Sequence, residues 1–341
     1  MKLGKPLVAF AMGDPAGISS EIAARLLHSA KIRAAADIVA FGDVRVLEAG
    51  AKVAGLALDV DFVSNIDKVP DRSTRPVLVD LASLDPNDIK IGQVSQRGGA
   101  FAIENFRTAL RYAAEGKAAA VFFTPFNKKA MRLAHASYDD EITFVRETLD
   151  HVGAASEFNV LDNLWNARVT SHIPLSKVAG AISEESILRS LTLTNASMLG
   201  AGFTRPRIAV AALNPHAGDG GNFGREEIDV IEPAVRVAAA NGLAVEGPFP
   251  ADTVFLRARN GQFDAVLTMY HDQGQIAMKL MGFDRGSTLI GGFPFSICTP
   301  AHGTAYDIAG KGIANTRASE QAFLLAARMS HQQSPAEAAI T

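Results

Sequence analysis

The 341-residue chain has one cysteine, Cys298, which excludes an intrachain disulfide framework and fits a reducing compartment. The thiol reads as a nucleophile or as a buried structural group, and for a lone cysteine we take the buried reading. Long apolar runs are missing as well. No stretch approaches the roughly 20 residues a membrane-crossing helix needs. The N-terminus runs straight into an apolar strand, Pro6 to Met12, without a small-residue cleavage site, so neither a signal peptide nor a membrane span is expected and the cytoplasm is the expected location. Charge of one sign is not in excess: 33 Lys and Arg against 36 Asp and Glu leave a net charge of -3, which gives no electrostatic case for nucleic acid or an anionic membrane as partner. No Gly-x-Gly-x-x-Gly follows the first strand and no Walker sequence occurs, so both standard nucleotide fingerprints are absent. Internal repeats and low-complexity segments are also absent, and only the tail from Gln332 reads as loose.

What is present is an ordinary globular composition, 48% hydrophobic and 20% charged, in a chain long enough for two domains. Short apolar runs alternate with helical patterns. Val8 to Ala11 leads through the turn Gly13-Asp14-Pro15-Ala16-Gly17 into a helix over Ser19 to Ser29, with Ile22, Leu26 and Leu27 on one face. Asp37 to Phe41, Val77 to Leu81, Ala119 to Phe123, Phe158 to Leu161, Ala167 to Thr170, Val178 to Ile182, Ile208 to Leu213 and Ala265 to Met269 read as strands. Arg97 to Glu115, Glu184 to Leu199 and Ile228 to Ala240 read as helices. This alternation predicts an α/β fold with a mostly parallel sheet covered on both faces.

Three of the eight histidines lie just beyond a predicted strand: His172 in Ser171-His172-Ile173-Pro174, His216 in Asn214-Pro215-His216-Ala217-Gly218, and His271 in Tyr270-His271-Asp272-Gln273-Gly274. Ligands bind at the carboxyl ends of strands in open α/β sheets. Neutral imidazole is the commonest ligand of divalent transition metals, and catalytic sites use three such ligands plus an open position. Spacings of about fifty residues are not a local metal signature, so three satisfied loop histidines remain the other reading. The glycine-rich continuation Gly218 to Glu227 reads as an anion cradle or as a plain tight connection. In Thr299 to Gly312, glycines at 303, 310 and 312 permit close backbone approach to a ligand. Asp307 reads as an acceptor for vicinal hydroxyls of a ribose or as a helix N-terminal carboxylate.

Together these loops resemble the 4-hydroxythreonine-4-phosphate dehydrogenase family of the isocitrate and isopropylmalate dehydrogenase-like fold. The resemblance runs from Gly13-Asp14-Pro15-Ala16-Gly17-Ile18 to about Ser319. It is carried by Asn214 to Gly218 with Gly224-Arg225-Glu226-Glu227, by Tyr270 to Gly274, and by His302-Gly303-Thr304-Ala305 with Asp307-Ile308-Ala309-Gly310. It implies two α/β/α domains with a central cleft, one formed by 1–125 and about 285–341, the other by about 126–284. It implies a divalent metal (Zn, Mn, Co or Ni) on His172, His216 and His271, completed across a homodimer interface. It further implies NAD on Gly303, Thr304, Ala305, Asp307, Ile308 and Asn315.

The substrate end departs from the family pattern. Asp140-Glu141-Ile142-Thr143 replaces Gly-His-Thr-Glu, so Glu141 and Ile142 stand where the family's His-Thr pair contacts a phosphorylated substrate. Thr288 and Ile297 stand where the family has an Asn and an Arg; Lys279 is kept. Loss of a guanidinium and gain of a carboxylate disfavour a dianionic phosphate, and Phe126, Ile142 and Ile297 suit a ring. The expected function is therefore an NAD- and metal-dependent dehydrogenase that oxidises, with decarboxylation, a non-phosphorylated β-hydroxy carboxylate such as a terephthalate-type cis-dihydrodiol. Lys279 would bind a carboxylate, and Asp272 or Lys279 would transfer the proton. The alternatives are 4-phosphohydroxythreonine as substrate, in pyridoxal phosphate biosynthesis, and a non-catalytic ligand-binding homologue.

Overall fold

A computed structural model describes residues 5–70 and 73–330; the tail from Gln332 lies outside them. The chain forms two compact units, Met1–Gly153 with Ser287–Thr341, and Ala154–Gly286.

The first unit begins with β1 (Leu7–Ala11), α1 (Ser19–His28), α2 (Ala30–Ala35), β2 (Asp37–Gly42), α3 (Val44–Ala54), β3 (Asp61–Val63), β4 (Val77–Asp80), α4 (Gln96–Ala114), β5 (Ala120–Phe123), α5 (Lys128–Ala134) and α6 (Glu141–Leu149). The second unit holds β6 (Ser156–Leu161), β7 (Leu164–Arg168), α7 (Val178–Ala181), α8 (Glu184–Gly200), β8 (Arg207–Ala211), α9 (Glu232–Ala240), β9 (Ala244–Phe249), α10 (Ala251–Arg259), β10 (Ala265–Thr268) and α11 (His271–Gly282). The chain then returns to the first unit with β11 (Ser287–Gly291), β12 (Ser296–Pro300) and α12 (Arg317–Ser330).

Strand order in the first unit is β3-β4-β2-β1-β5-β12-β11, parallel except for the β11 and β12 pair. Val8, Phe10, Phe41, Val121 and Phe122 are fully buried on it, as expected of strands covered on both faces. The second unit is β6-β7-β10-β8-β9, with only β6 antiparallel. Trp165, Ile208, Val210, Val266 and Leu267 are its buried strand residues, each contributing about 1.5–3 kcal/mol where a large apolar side chain is withdrawn from water.

Three expectations change. The first boundary falls at 153 and not at 125, because α5 and α6 pack on α4 and Phe144 stacks on Phe106 with ring centroids 5.6 Å apart. Val178 to Ile182 is no strand: Pro174 leads into a helical turn at Leu175–Lys177 and then α7, where Ala179, Gly180 and Ala181 offer no β-branched face to a sheet. The polar segment after β10 is the first turn of α11 and not a loop. Tyr270 is extended, with φ -146° and ψ 165°, and the helix starts at His271, placing Asp272 where the helix dipole favours a carboxylate.

Candidate active site

Strand register places the three histidines beyond the same ends of neighbouring strands in the second unit. β7, β10 and β8 are neighbouring parallel strands, and each runs into one of the three. The ladder between β7 and β10 continues past both strands, through Val169 N–H to Thr268 O at 2.8 Å and Thr170 N–H to Met269 O at 3.1 Å, and the Thr170 hydroxyl donates to Met269 O at 2.7 Å. His172 and His271 each follow two residues later, and their ring centroids lie 5.4 Å apart. Gln273 ties β10 to β8: its Oε1 accepts from Met269 N–H at 2.8 Å and its Nε2 donates to Ala212 O at 2.7 Å. Gly274 lets α11 seat on β7, since a Cβ there would lie 2.2 Å from Asn166 Oδ1.

Backbone conformation singles out two of these histidines. His172 has φ 25° and His216 φ 53°, values that non-glycine residues adopt only when their surroundings hold them, at roughly 1–3 kcal/mol each. Such outliers collect at functional sites. His271 Nδ1 pairs with Asp272 Oδ1 at 2.6 Å. With the proton on Nδ1 the ring is fixed in one tautomer and Nε2 keeps its lone pair for a cation. His172 and His271 therefore fit as paired imidazole ligands. His216, exposed, faces the Phe223 ring at 6.2 Å, and among the described residues no group of three or more His, Cys, Asp or Glu side chains stands in a metal-holding arrangement.

The expected roles of Asp272 and Lys279 separate. Asp272 orients His271. Lys279 is exposed near the other end of α11, with Nζ 5.7 Å from the Phe283 ring centroid; about 12 Å of helical rise divides it from His271, so within one chain the structure does not place it beside the histidines.

In the first unit the stretch expected to hold the dinucleotide lies against the turn after β1. Ile18 N–H donates to Thr304 O at 3.0 Å. Tyr306 Oη donates to Asp14 Oδ2 at 2.5 Å, where burial raises the carboxyl's pKa and, with Asp14, that of the phenol. Arg25 reaches Gly312 O at 2.8 Å, and Glu21 Oε1 accepts from Ala314 N–H at 3.1 Å. Gly303 and Asp307 are exposed, Ala305 has φ 44° and Ile308 N–H closes back on Ala305 O at 3.1 Å. Asn315 is used locally, its Oδ1 accepting from Arg317 N–H at 2.9 Å at the start of α12. The stretch packs so closely that a Cβ on Gly17 would lie 2.5 Å from Thr304 O and 2.7 Å from Thr304 Cβ. Gly17→Ala is expected to lose roughly 1–3 kcal/mol of stability through this overlap, read as a lower denaturation midpoint.

The substrate residues are corrected in part. Ile297 is 0% exposed in β12, paired with Val121, and Phe126 stacks on Phe123 at 4.3 Å within the aromatic core. Both are packing residues of the first unit's interior. Thr288 and Ile142 are half-buried. Glu141 opens α6, which Asp140 caps by accepting from Thr143 N–H at 2.8 Å, and its Oε2 lies 3.0 Å from Lys128 Nζ. The Glu141 carboxylate is paired with a cation and does not stand at the substrate end as a bare charge. Cys298 is fully buried and burial pushes its thiol pKa up, so it is no nucleophile.

A family model described as pyridoxal phosphate biosynthetic protein PdxA matches residues 34–326. The chain belongs to the PdxA family. A Rhizobium meliloti (strain 1021) protein provisionally named 4-hydroxythreonine-4-phosphate dehydrogenase 2 is 60% identical over 98% of this chain and 96% of its own length. A Symbiobacterium thermophilum protein provisionally named D-threonate 4-phosphate dehydrogenase is 36% identical over 95% and 96%. Among solved structures, the 4-hydroxythreonine-4-phosphate dehydrogenase of Klebsiella pneumoniae superposes with a TM-score of 0.82 at 31% identity, covering 96% of this chain and 100% of that one. The terephthalate 1,2-cis-dihydrodiol dehydrogenase of Burkholderia xenovorans LB400 reaches 0.64 at 28%, covering 95% and 98%. This PdxA-family protein is thus an oxidoreductase of the dehydrogenase class, and its likeness is greater to relatives named for phosphorylated substrates than to the dihydrodiol enzyme. No helix among the described residues is long and apolar enough to cross a membrane.

Proposed function

We propose that this PdxA-family dehydrogenase oxidises the CH–OH group of a small phosphorylated hydroxy acid, of the 4-phosphohydroxythreonine or D-threonate 4-phosphate type, with NAD as acceptor. The observation that carries the choice is the Lys128–Glu141 pair. It leaves the substrate end without the bare carboxylate that had argued for a non-phosphorylated compound, and it agrees with the names of the nearer relatives. The cis-dihydrodiol reading loses its support together with the apolar lining it needed.

The residues supply three tasks. Imidazoles of His172 and His271, joined by His216, would hold a divalent ion (Zn, Mn, Co or Ni, which such ligands all accept). When bound, that ion supplies Lewis acidity at the substrate hydroxyl. Asp272 holds the proton on His271 Nδ1 and keeps the ring turned toward its ligand. The stretch 302–312, fixed on α1 and the Gly13 to Gly17 turn, would hold the dinucleotide, with the exposed Asp307 toward the ribose hydroxyls. A homodimer that completes the histidine set accounts for three histidines at one sheet end without a closed cluster in a single chain. Where a carboxylate stands β to the new carbonyl, CO2 loss follows oxidation. The protein acts in the cytoplasm on this reading.

Removing Asp272 with Asp272→Ala is expected to weaken binding of the divalent ion by roughly 10–100-fold, measured by competition with a chromophoric chelator, while NAD binding in the first unit is unchanged. For the reaction itself, NADH formation would be followed with D-threonate 4-phosphate, 4-phosphohydroxythreonine and terephthalate cis-dihydrodiol in turn, after chelation and after return of each ion. Turnover of a phosphorylated acid that depends on the returned ion is the expected result. Turnover of the dihydrodiol alone would overturn the assignment.

A further inference from the structure

His216 sits in a segment that its own sequence does not stabilise. Five consecutive residues, His216, Ala217, Gly218, Asp219 and Gly220, have positive φ between 46° and 80°, and three of them carry side chains. L residues leave this region unless something outside the turn fixes its ends. At the exit, Phe223 N–H bonds back to Gly218 O at 3.1 Å and Asn222 N–H to Asp219 O at 3.2 Å. The entry is held from elsewhere. Glu227 is 2% exposed, and its partners are amides rather than cations: Oε1 accepts from Leu213 N–H at 2.8 Å and Asn214 N–H at 2.7 Å, and Oε2 from Asn214 Nδ2 at 2.9 Å. The same Nδ2 donates to Glu226 Oε2 at 2.7 Å, which fixes which way the Asn214 amide faces. A π-turn over Glu227–Ile231 opens this helical segment, a rare feature that collects at functional sites.

We propose that Glu227, with Asn214 and Glu226, is the clamp that sets the position of His216, making Glu227 a positioning residue for the divalent ion; this rests on the metal reading given above. A buried carboxylate that accepts only amide N–H groups rigidifies the neck of the turn two residues before His216. Without it, Leu213 and Asn214 lose their acceptor, the left-handed run has no fixed start, and His216 samples positions away from the ion.

The test compares Glu227→Ala, Glu227→Gln and His216→Ala with wild-type protein. Amide hydrogen exchange reads the clamp with no metal present. In Glu227→Ala, exchange across 213–224 is expected to accelerate on the order of 10-fold or more, as loss of hydrogen bonds to a charged acceptor implies, with β7 and β10 unchanged. Co(II) affinity, followed by its visible absorption bands, is expected to fall roughly 10–100-fold. Glu227→Gln keeps an oxygen for the two backbone donors but turns an N–H2 group toward Asn214 Nδ2. It is expected to fall between wild type and Glu227→Ala, and it carries the test if the alanine variant does not fold. Unchanged exchange in 213–224 would overturn the clamp. Faster exchange with unchanged Co(II) affinity and bands would overturn the positioning role. Absence of Co(II) bands in wild-type protein, with His216→Ala identical to it, would overturn the metal reading on which the role rests, a failure distinct from the other two.

Discussion

His271→Ala is expected to cut turnover by roughly 10³-fold or more while leaving NAD affinity within about twofold. The size follows from what the imidazole does on the proposed reading. A Lewis-acidic ion stabilises developing negative charge at the reacting oxygen by several kcal/mol, and each 1.4 kcal/mol is tenfold in rate. Of the three histidines, His271 is the one with a second group already turned to it, the Asp272 carboxylate 2.6 Å from Nδ1. Its removal also leaves His172 without the ring 5.4 Å away. The stretch proposed for the dinucleotide lies in the other unit and is held by α1 and the Gly13 to Gly17 turn, so NAD binding is a control. Turnover within tenfold of the wild type would sink the assignment of His271, and steady-state rates with saturating NAD measure it.

The second large effect concerns stability. Arg168 sits on β7 with its side chain 3% exposed, directly across from Glu157 on β6, the guanidinium and carboxylate 2.9 Å apart. Its other arm donates to Asn159 Oδ1 at 2.9 Å, and Gln275 of α11 donates to the same oxygen at 2.7 Å. Gln275 lies one helical turn beyond His271, so this buried polar layer fixes the helix that carries it. Arg168→Leu leaves Glu157 without its cation and is expected to cost about 3–5 kcal/mol. For a unit of this size that lowers the denaturation midpoint on the order of 10 °C. The sign of a second change separates charge from packing: Arg168→Met combined with Glu157→Leu removes both charges, and buried pairs replaced in this way are commonly neutral or better. The double variant is expected to recover most of the midpoint lost by Arg168→Leu. Scanning calorimetry of the two variants decides it, and a double variant as unstable as the single one would show that packing, not the orphaned charge, sets the cost.

What was legible in the sequence follows from how each feature is encoded. Strands β1, β5, β8 and β10 are short apolar runs that end in polar segments, and fully buried parallel strands have little other way to be written. The three histidines could be read as strand-end residues for that reason. That β7, β10 and β8 are neighbours is a matter of long-range pairing, which no local pattern records, and it alone brings His172 and His271 together. Helix α3 is marked by local signals at its two ends: Asp43 accepts from Arg45 N–H at its start and Gly55 ends it with φ 68°.

At the substrate end the meaning of a side chain depends on a partner that is distant in sequence. Glu141 looks like a repulsive charge until Lys128, on a different helix, is placed 3.0 Å from it. Phe126 and Ile297 look like pocket residues until their burial is known, since an apolar residue near a site motif is encoded no differently from one behind it. Glu227 was in plain view beside the glycine-rich segment, yet a buried carboxylate serving backbone amides across the neck of a turn is a tertiary fact. The signal that could have found it is the unusual cluster of glycines with His216, which asks what holds such a turn in place.

The most direct measurement is the ratio of kcat/KM for one hydroxy acid with and without its terminal phosphate, D-threonate 4-phosphate against D-threonate, at saturating NAD and divalent ion. Charge-assisted contacts to a phosphate are worth about 1.5–3 kcal/mol each, so a preference for the phosphorylated form of roughly 10²-fold or more is expected. Equal values for the two, or a preference for the acid without phosphate, would contradict the account.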